Sequence, residues 1–212
     1  MLDAPSYAKL IAHVGPRLLH VTAAQNAGAI AAQGLWPAAD LARRAGVDPA
    51  SILLRSERLQ IGAALLNHQR PLQRYLRAAG TWLDMPPEDW AAQLDERIFL
   101  WPERESAAFL SSVARTVPVH LLWLDTAALL DVAAHRMDLS ALNSGSFRQI
   151  PAERRGTYDR GLWIYRPVTE GLDAFRRDRR ARGLAKSLDR VREVSLRGGL
   201  DAATLARVTW RP

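Results

Sequence analysis

The sequence of 212 residues predicts one domain of mixed α and β structure. Apolar residues make up 48% of the chain and charged residues 24%, which is the balance of an ordinary globular domain. Short apolar runs of strand length alternate with longer segments of helical periodicity. Neither an internal repeat nor a linker of Pro, Gly and Ser divides the chain. We therefore expect a single core over residues 1–212.

The first third of the chain favours helices around one short strand. Leu18 to Val21 form an apolar run of strand length. Thr22 suits a helix N-cap and Gly34 suits a helix end, while Asp48 and Pro49 give a second start signal. The predicted elements are, in order, helix 5–14, strand 18–21, helix 23–33, helix 37–46, helix 48–59 and a strand within 58–66.

The rest of the chain contains three strong strand signals separated by helices. They are RIFLW, VHLLWLD and REVSL, each a short segment of strand length. Residues 143–160 carry turn formers and little periodicity, so we expect a functional loop there. The predicted elements are helices 70–80 and 86–95, strand 97–101, helix 104–115, strand 119–125, helix 126–134 capped by Asp125 or Thr126, the loop, a basic helix, strand 192–196, a short helix within 198–205 and a last strand 206–210.

The positive charge is concentrated in the last third of the chain. Residues 148–197 hold thirteen Arg and one Lys against seven acidic residues, which accounts for the whole net charge of +7. Such a surface attracts polyanions, so single-stranded DNA or RNA, or a phosphate-bearing ligand, is an expected partner. The alternative is a solvated helix, because only two of the 29 basic residues are Lys and the chain is generally rich in Arg.

Several chemistries lack the residues that they require. The chain has no cysteine, and its five histidines are far apart, so we expect neither disulfides nor a metal site. The phosphate-binding, zinc-protease and hydrolase motifs are missing. No apolar stretch is long enough for a membrane span and the first residues lack a signal-peptide pattern, so a cytoplasmic location is expected.

Three segments together resemble the DarT-like branch of the ADP-ribosyltransferases. LLHVTAAQNAGAIAAQGLWPA is similar to its first strand and helix, RIFLWPERESAAFL to its aromatic strand running into Pro and Arg, and REVSLRGGLDAATLARVTW to its closing strand, turn and strand. The segments occur in the family's order and span nearly the whole chain. The middle of the chain and the Asn-Ser-Gly loop look closer to an uncharacterised DarT-related bacterial family.

The resemblance implies a fold, a substrate and a catalytic residue. The fold would be a split, mostly antiparallel sheet flanked by helices, and the substrate NAD. ADP-ribose would pass to an acceptor, with a base of DNA or RNA favoured, or to water. Departure of nicotinamide leaves an oxocarbenium-like sugar cation that a carboxylate stabilises. Glu193 occupies the family's carboxylate position, the alternative being an ordinary solvent-facing strand residue.

The same resemblance places further residues around the NAD. His20, with Thr22 and Asn26 at the family's spacing, would bind the adenosine ribose, unless His20 is a satisfied core histidine. Arg97 and Arg104 flank the strand RIFLW and offer guanidinium forks for the pyrophosphate, with Arg104 preferred. The alternative for each arginine is that it is a surface residue at the end of a strand.

The loop residues would form the remainder of the substrate site. Asn143, Ser144 and Gly145 offer hydrogen-bond donors and close backbone approach, although a plain turn also explains them. Arg155 and Tyr158 combine positive charge with a stacking surface.

The competing class of function is a non-catalytic nucleic-acid-binding module on the same scaffold. A third class is an interaction protein that uses the helices of residues 37–60. The oligomeric state is left open.

Overall fold

A six-stranded antiparallel sheet forms the centre of the protein, in the strand order β5-β1-β4-β8-β6-β7. The computed structural model describes residues 4–70, 72, 83, 85–113, 118–145, 161–182 and 190–211. A separate two-stranded hairpin pairs β2 with β3. The strands are β1 Arg17–Ala23, β2 Leu59–Ile61, β3 Ala64–Leu66, β4 Arg97–Pro102, β5 Val119–Asp125, β6 Met137–Ser140, β7 Tyr165–Pro167 and β8 Glu193–Arg197. The predicted mixed α and β fold with an antiparallel sheet is confirmed.

Helices cover the sheet because its strands alternate apolar side chains toward a common core. The main core joins alternate residues of the central strands, such as Leu18, Leu100 and Val194, to helices α1, α6, α7 and α8. A smaller cluster around Trp90 and Tyr165 lies under α4. The helices are α1 Ala4–Val14, α2 Ala27–Gln33, α3 Ala38–Arg44, α4 Pro87–Asp95, α5 Glu103–Val113, α6 Thr126–Ala133, α7 Gly171–Ala181 and α8 Ala202–Val208.

The central sheet is split between β1 and β4. β1 pairs with β5 along all seven of its residues, Arg17–Ala23. Its pairing with β4 is limited to Leu18 opposite Pro102 and Leu19 opposite Trp101. Past Leu19 the two strands separate, so β5 and β1 form one part of the sheet and β4, β8, β6 and β7 the other. The gap between these parts begins at His20.

Most predicted strands and helices occur near their expected places. The strands at residues 18–21, 97–101, 119–125 and 192–196 are present, and Gly34 ends α2 with a φ of 96°. Asp48 and Asp125 both act as caps, accepting hydrogen bonds from the N–H groups of Ala50 and Ala128. The predicted helix 70–80 falls almost wholly outside the described residues.

Four local predictions were wrong. Thr22 lies within β1 and caps no helix, and residues 48–59 form only the 3₁₀ turn Pro49–Ile52 because Leu54 has a φ of 54°. Residues 58–66 form a hairpin that turns at Gly62, with a φ of 53°, instead of one strand. Residues 206–208 belong to α8, and only Thr209 bridges to β5. β6 was missed because its alternation of apolar and polar residues, Met137–Ser140, spans only four positions, which is short for a strand signal.

Candidate active site

A cavity of about 800 Å³ lies beside the split in the sheet. One wall comes from β1, β4 and the start of β8, and the opposite wall comes from α2, α3 and the β2-β3 hairpin. His20, Asn143 and Glu193 line the same space although they are distant in the sequence. The size is that of a small-molecule or cofactor site. His20 and Glu193 therefore share one cavity.

Glu193 is buried at the first position of β8. Only 1% of its surface is exposed, and its Oε1 accepts a hydrogen bond of 2.6 Å from the Oγ of Ser144. A buried carboxylate is costly unless polar groups compensate it, and Ser144 is itself fully buried. The alternative of a solvent-facing strand residue is wrong, because Glu193 faces the cavity.

The loop after β6 brings Ser144 to Glu193. The Ser140 Oγ donates to the Leu142 carbonyl at 2.7 Å, and the Asn143 Oδ1 accepts from the Gly145 N–H at 3.1 Å. These bonds fold the loop back over the start of β8, which pairs with β6 through Ser140 and Glu193. Asn143, Ser144 and Gly145 all line the cavity. Arg155 and Tyr158, the other two predicted loop residues, lie outside the described residues.

Tyr165 lies near Glu193, because both residues pair with Ser140 from opposite sides of β6. Its ring stacks on Trp90 with centroids 5.9 Å apart, and the Arg97 guanidinium lies 4.2 Å above it. Burial, and then the nearby charge of Glu193, raise the pKa of the Tyr165 hydroxyl. The group is therefore a neutral phenol at physiological pH.

His20 stands at the gap between β1 and β4. Its Nδ1 lies 3.0 Å from the carbonyl oxygen of Phe99 on β4. A carbonyl only accepts, so Nδ1 carries the proton and Nε2 holds a lone pair. Burial and the neighbouring His120 lower the pKa of His20, against the opposing effect of the Phe99 carbonyl. His20 is thus a neutral imidazole whose Nε2 has the chemistry of an acceptor.

Thr22 and Asn26 line the cavity but bind mainly to the protein. The Asn26 Nδ2 donates to the Thr22 Oγ1 at 2.8 Å and to the Leu65 carbonyl at 3.0 Å. Its Oδ1 accepts from the Leu65 N–H at 2.8 Å. Asn26 therefore behaves like a strand partner of β3 and holds the hairpin over the cavity. Both donors of its amide are in use.

The two predicted arginines of β4 have different surroundings. Arg97 lines the cavity and is buried, and its Nη1 donates to the carbonyl and the Oε1 of Gln93 at 2.8 and 2.9 Å. Arg104 is exposed on α5, where its Nη2 lies 3.2 Å from the His13 Nε2, and it does not line the cavity. Arg97 is the first residue of β4 and Arg104 follows its other end on α5, so the two side chains start from opposite ends of the strand. The preference for Arg104 is not supported by its position.

Sequence reasoning missed an ion pair in the cavity wall. Arg55 donates to both carboxylate oxygens of Asp95, at 2.6 and 3.0 Å, and Gln69 donates to the same carboxylate at 3.1 Å. Burial raises the pKa of Asp95 in spite of Arg55. These residues join the segment before β2 to the end of α4. No spacing rule connects positions 40 residues apart, so only the folded chain reveals the pair.

Two further cavity residues were also missed, Trp36 and Arg44. The Arg44 guanidinium lies 3.7 Å from the centroid of the Trp36 ring, and both residues line the cavity. Trp36 is only half-buried. The only sequence signal for the role of Trp36 is its position two residues after Gly34, which ends α2.

Ion pairs neutralise much of the basic third in the part of the chain that the structure describes. Acidic partners lie close to most of its arginines, in the pairs Arg166 and Arg182 with Asp178, Arg176 with Asp173, Arg190 and Arg192 with Glu105, and Arg197 with Asp138. Arg177 and Arg180 are exposed on α7.

Among the described residues, no group of three or more His, Asp or Glu side chains is arranged to hold a metal ion. None of the described helices is long and apolar enough to cross a membrane.

Comparison with known proteins assigns a family but no activity. A match to DUF7002, a family of unknown function, spans residues 16–205. The chain belongs to this family. The matched range runs from just before β1 to α8, so it contains every residue of the cavity wall described above. No curated protein and no solved structure matches the chain.

Proposed function

We propose that the protein is an ADP-ribosyltransferase of the DarT-like kind that uses NAD as its substrate. The observation that supports this most is the placement of Glu193 and His20 on one cavity at a split in the sheet. The resemblance of the three segments points to the same two residues. Their roles follow from their chemistry.

Glu193 would stabilise the reacting sugar. In the reaction, the bond between the ribose C1′ and the nicotinamide nitrogen breaks, and its electron pair leaves with the neutral nicotinamide. Positive charge develops on C1′ and the ring oxygen, which the Glu193 carboxylate opposes from a buried position. The Ser144 hydroxyl at 2.6 Å orients the carboxylate before the ligand arrives. Such preorganisation lowers the cost of reaching the transition state.

His20 would act as an acceptor for the ligand rather than as an acid. With the proton fixed on Nδ1 by the Phe99 carbonyl, Nε2 accepts a hydrogen bond from a ribose hydroxyl. Apolar cavity residues such as Ile30, Leu65 and Leu66 suit the flat faces of the two rings of NAD.

The acceptor of the ADP-ribose completes the reaction. Its nucleophilic oxygen or nitrogen forms a bond to C1′ and gives up a proton, so the charges balance. We propose a base of single-stranded DNA or RNA as this acceptor, because the basic third and the loop with Arg155 and Tyr158 favour it. With water as acceptor the same site would be an NAD glycohydrolase. We also propose that the reaction takes place in the cytoplasm.

Nicotinamide release by the purified protein tests this function. NAD is supplied with and without single-stranded DNA or RNA to the wild type, to Glu193→Gln and to the matched control Glu88→Gln, an exposed carboxylate on α4 outside the cavity. We expect the wild type and Glu88→Gln to be equally active. We expect Glu193→Gln to lose about 100-fold or more, as when one preorganised stabilising group is removed from an active site.

Two results would contradict the proposal. A Glu193→Gln variant with the melting temperature and the activity of the wild type would remove the carboxylate from the mechanism. A wild type that neither binds nor consumes NAD would replace the transferase with the non-catalytic nucleic-acid-binding module. That module is recognised by an affinity for single strands that falls steeply with salt and is independent of NAD.

A further inference from the structure

The rim of the cavity carries an arginine that the proposed chemistry does not use. Arg44 is the last residue of α3, is exposed, and lines the cavity. Its neighbour Arg43 forms ion pairs with Asp40 and Glu96. None of the ion pairs between described residues includes Arg44. A guanidinium that faces a cavity in this way is available to an anionic ligand.

Trp36 holds the Arg44 guanidinium in a fixed place, with 3.7 Å between the guanidinium carbon and the ring centroid. The ring itself is immobilised, because its Nε1 donates to the Gln33 carbonyl at 2.7 Å. Gly199 packs so closely that an added Cβ would lie 2.0 Å from the Trp36 Cε3. A stacked guanidinium keeps its N–H edge for hydrogen bonds, so the site is organised before a ligand arrives.

Two other residues with basic side chains also belong to the cavity lining. Arg58 and His68 also line it, near the β2-β3 hairpin. The pKa of His68 is lowered by burial and then by the charges of Arg70, Arg58 and Arg55. Asp95, the acidic residue of this wall, is already bonded to Arg55 and Gln69. Arg44 and Arg58 therefore add positive charge to the cavity lining, whereas Glu193 is a buried carboxylate on β8.

We infer that Arg44, supported by Trp36, binds a phosphate or diphosphate group of the ligand and thereby selects phosphorylated ligands over nucleosides. The planar guanidinium offers two parallel N–H groups, which match a pair of phosphate oxygens. This inference rests on the proposed function in one respect, because NAD is a ligand that carries a diphosphate group. It moves phosphate recognition from β4, where sequence reasoning placed it, to the C-terminal end of α3.

Calorimetric titration tests the subsite with three probes: pyrophosphate, ADP-ribose and adenosine. The proteins are the wild type, Arg44→Ala, and the matched control Arg43→Ala, whose side chain does not line the cavity. We expect Arg44→Ala to weaken pyrophosphate and ADP-ribose binding about tenfold or more, the worth of a hydrogen bond between charged groups. Adenosine binding should be unchanged, and Arg43→Ala should resemble the wild type.

Further measurements separate this inference from the proposed function. Trp36→Leu should weaken ADP-ribose binding in the same direction, because it removes the platform and keeps the charge. The inference is overturned if Arg44→Ala binds ADP-ribose like the wild type, or if the wild type binds neither phosphorylated probe. If binding depends on Arg44 but no nicotinamide is released from NAD, the subsite stands and the transferase proposal fails.

Discussion

At the scale of single residues, the Ser144 hydroxyl is a donor to the buried carboxylate of Glu193. Ser144 donates to Oε1 at 2.6 Å, and both residues are almost wholly buried. A buried acceptor that loses its donor bears a desolvation cost that water cannot repay. The same bond orients the carboxylate toward the cavity, so this pair affects both the stability of the protein and its proposed function.

Ser144→Ala should lower the free energy of unfolding by about 1–3 kcal/mol, because it leaves a buried carboxylate oxygen without this donor. Urea denaturation measures the loss. In a Glu193→Gln background the same substitution should cost less, since the acceptor is then uncharged, and the difference gives the coupling energy. Equal costs in both backgrounds would mean that the charge of Glu193 does not strengthen its bond to Ser144.

The pKa of His20 predicts how stability responds to acid. Burial places the folded-state pKa below the ordinary value of 6.5, so the unfolded chain takes up the proton first as the pH falls. The contribution of His20 is therefore fully present above about pH 6.5 and is lost as the pH falls toward the folded-state value. Melting temperatures from pH 8 to pH 5 should fall more for the wild type than for His20→Gln. A constant difference between the two proteins would contradict this assignment.

At the scale of elements, the contact between the segment after α2 and the segment before α8 holds the cavity wall. Leu35 and Leu200 exchange backbone hydrogen bonds, each of 2.8 Å, and Gly199 lies against Trp36. Gly34 approaches the Leu200 carbonyl so closely that a Cβ would lie 2.2 Å away. Both glycines are therefore required by close packing between two distant parts of the chain.

Gly199→Ala should force the Trp36 ring to move and should lower the free energy of unfolding by about 1–3 kcal/mol, as overpacking does. Gly28→Ala is the control, because a Cβ at that position on α2 meets no atom within 4 Å and alanine favours a helix. It should be neutral or stabilising by about 0.4–1 kcal/mol. Thermal unfolding compares the two, and equal effects would show that Gly199 has no special role.

At the scale of the whole molecule, the arginines behind the net charge of +7 differ in whether an acidic partner lies beside them. Many arginines of the last third face acidic partners across elements, as Arg190 does with Glu105 on α5. Exposed arginines outside such pairs, Arg177 and Arg180 on α7, contribute most to the long-range field. A nucleic acid would meet these residues first.

Replacing Arg177 and Arg180 by Gln should reduce the salt dependence of single-strand binding. Each phosphate contact that is lost makes the slope of log K against log salt shallower by about 0.7 for a single strand. The double variant is compared with Arg176→Gln/Arg182→Gln, whose arginines are paired with Asp173 and Asp178. Fluorescence anisotropy at several salt concentrations measures the slopes. The same change in both variants would show that ion pairing does not decide which arginines act.

The local pattern of the sequence determined the mixed α and β fold and most of its central strands. β1, β4, β5 and β8 follow from short apolar runs, and Asp48, Asp125 and Gly34 mark helix ends because capping depends on neighbouring residues alone. The loop at Asn143 was also found from its turn formers. Predictions failed where a distant contact decided the conformation, as in residues 48–59, where Arg55 bonds to Asp95 instead of continuing a helix.

Only the tertiary structure decided the site. The split arises because β1 keeps its register with β5 but leaves β4 after Leu19, and no local signal encodes where two strands part. His20 and Glu193 line the cavity beside that separation, and the fold adds Arg44 of α3 to its lining but not Arg104 of α5. A sequence pattern reports the few residues around each position, whereas a cavity is made by side chains that meet across the whole chain.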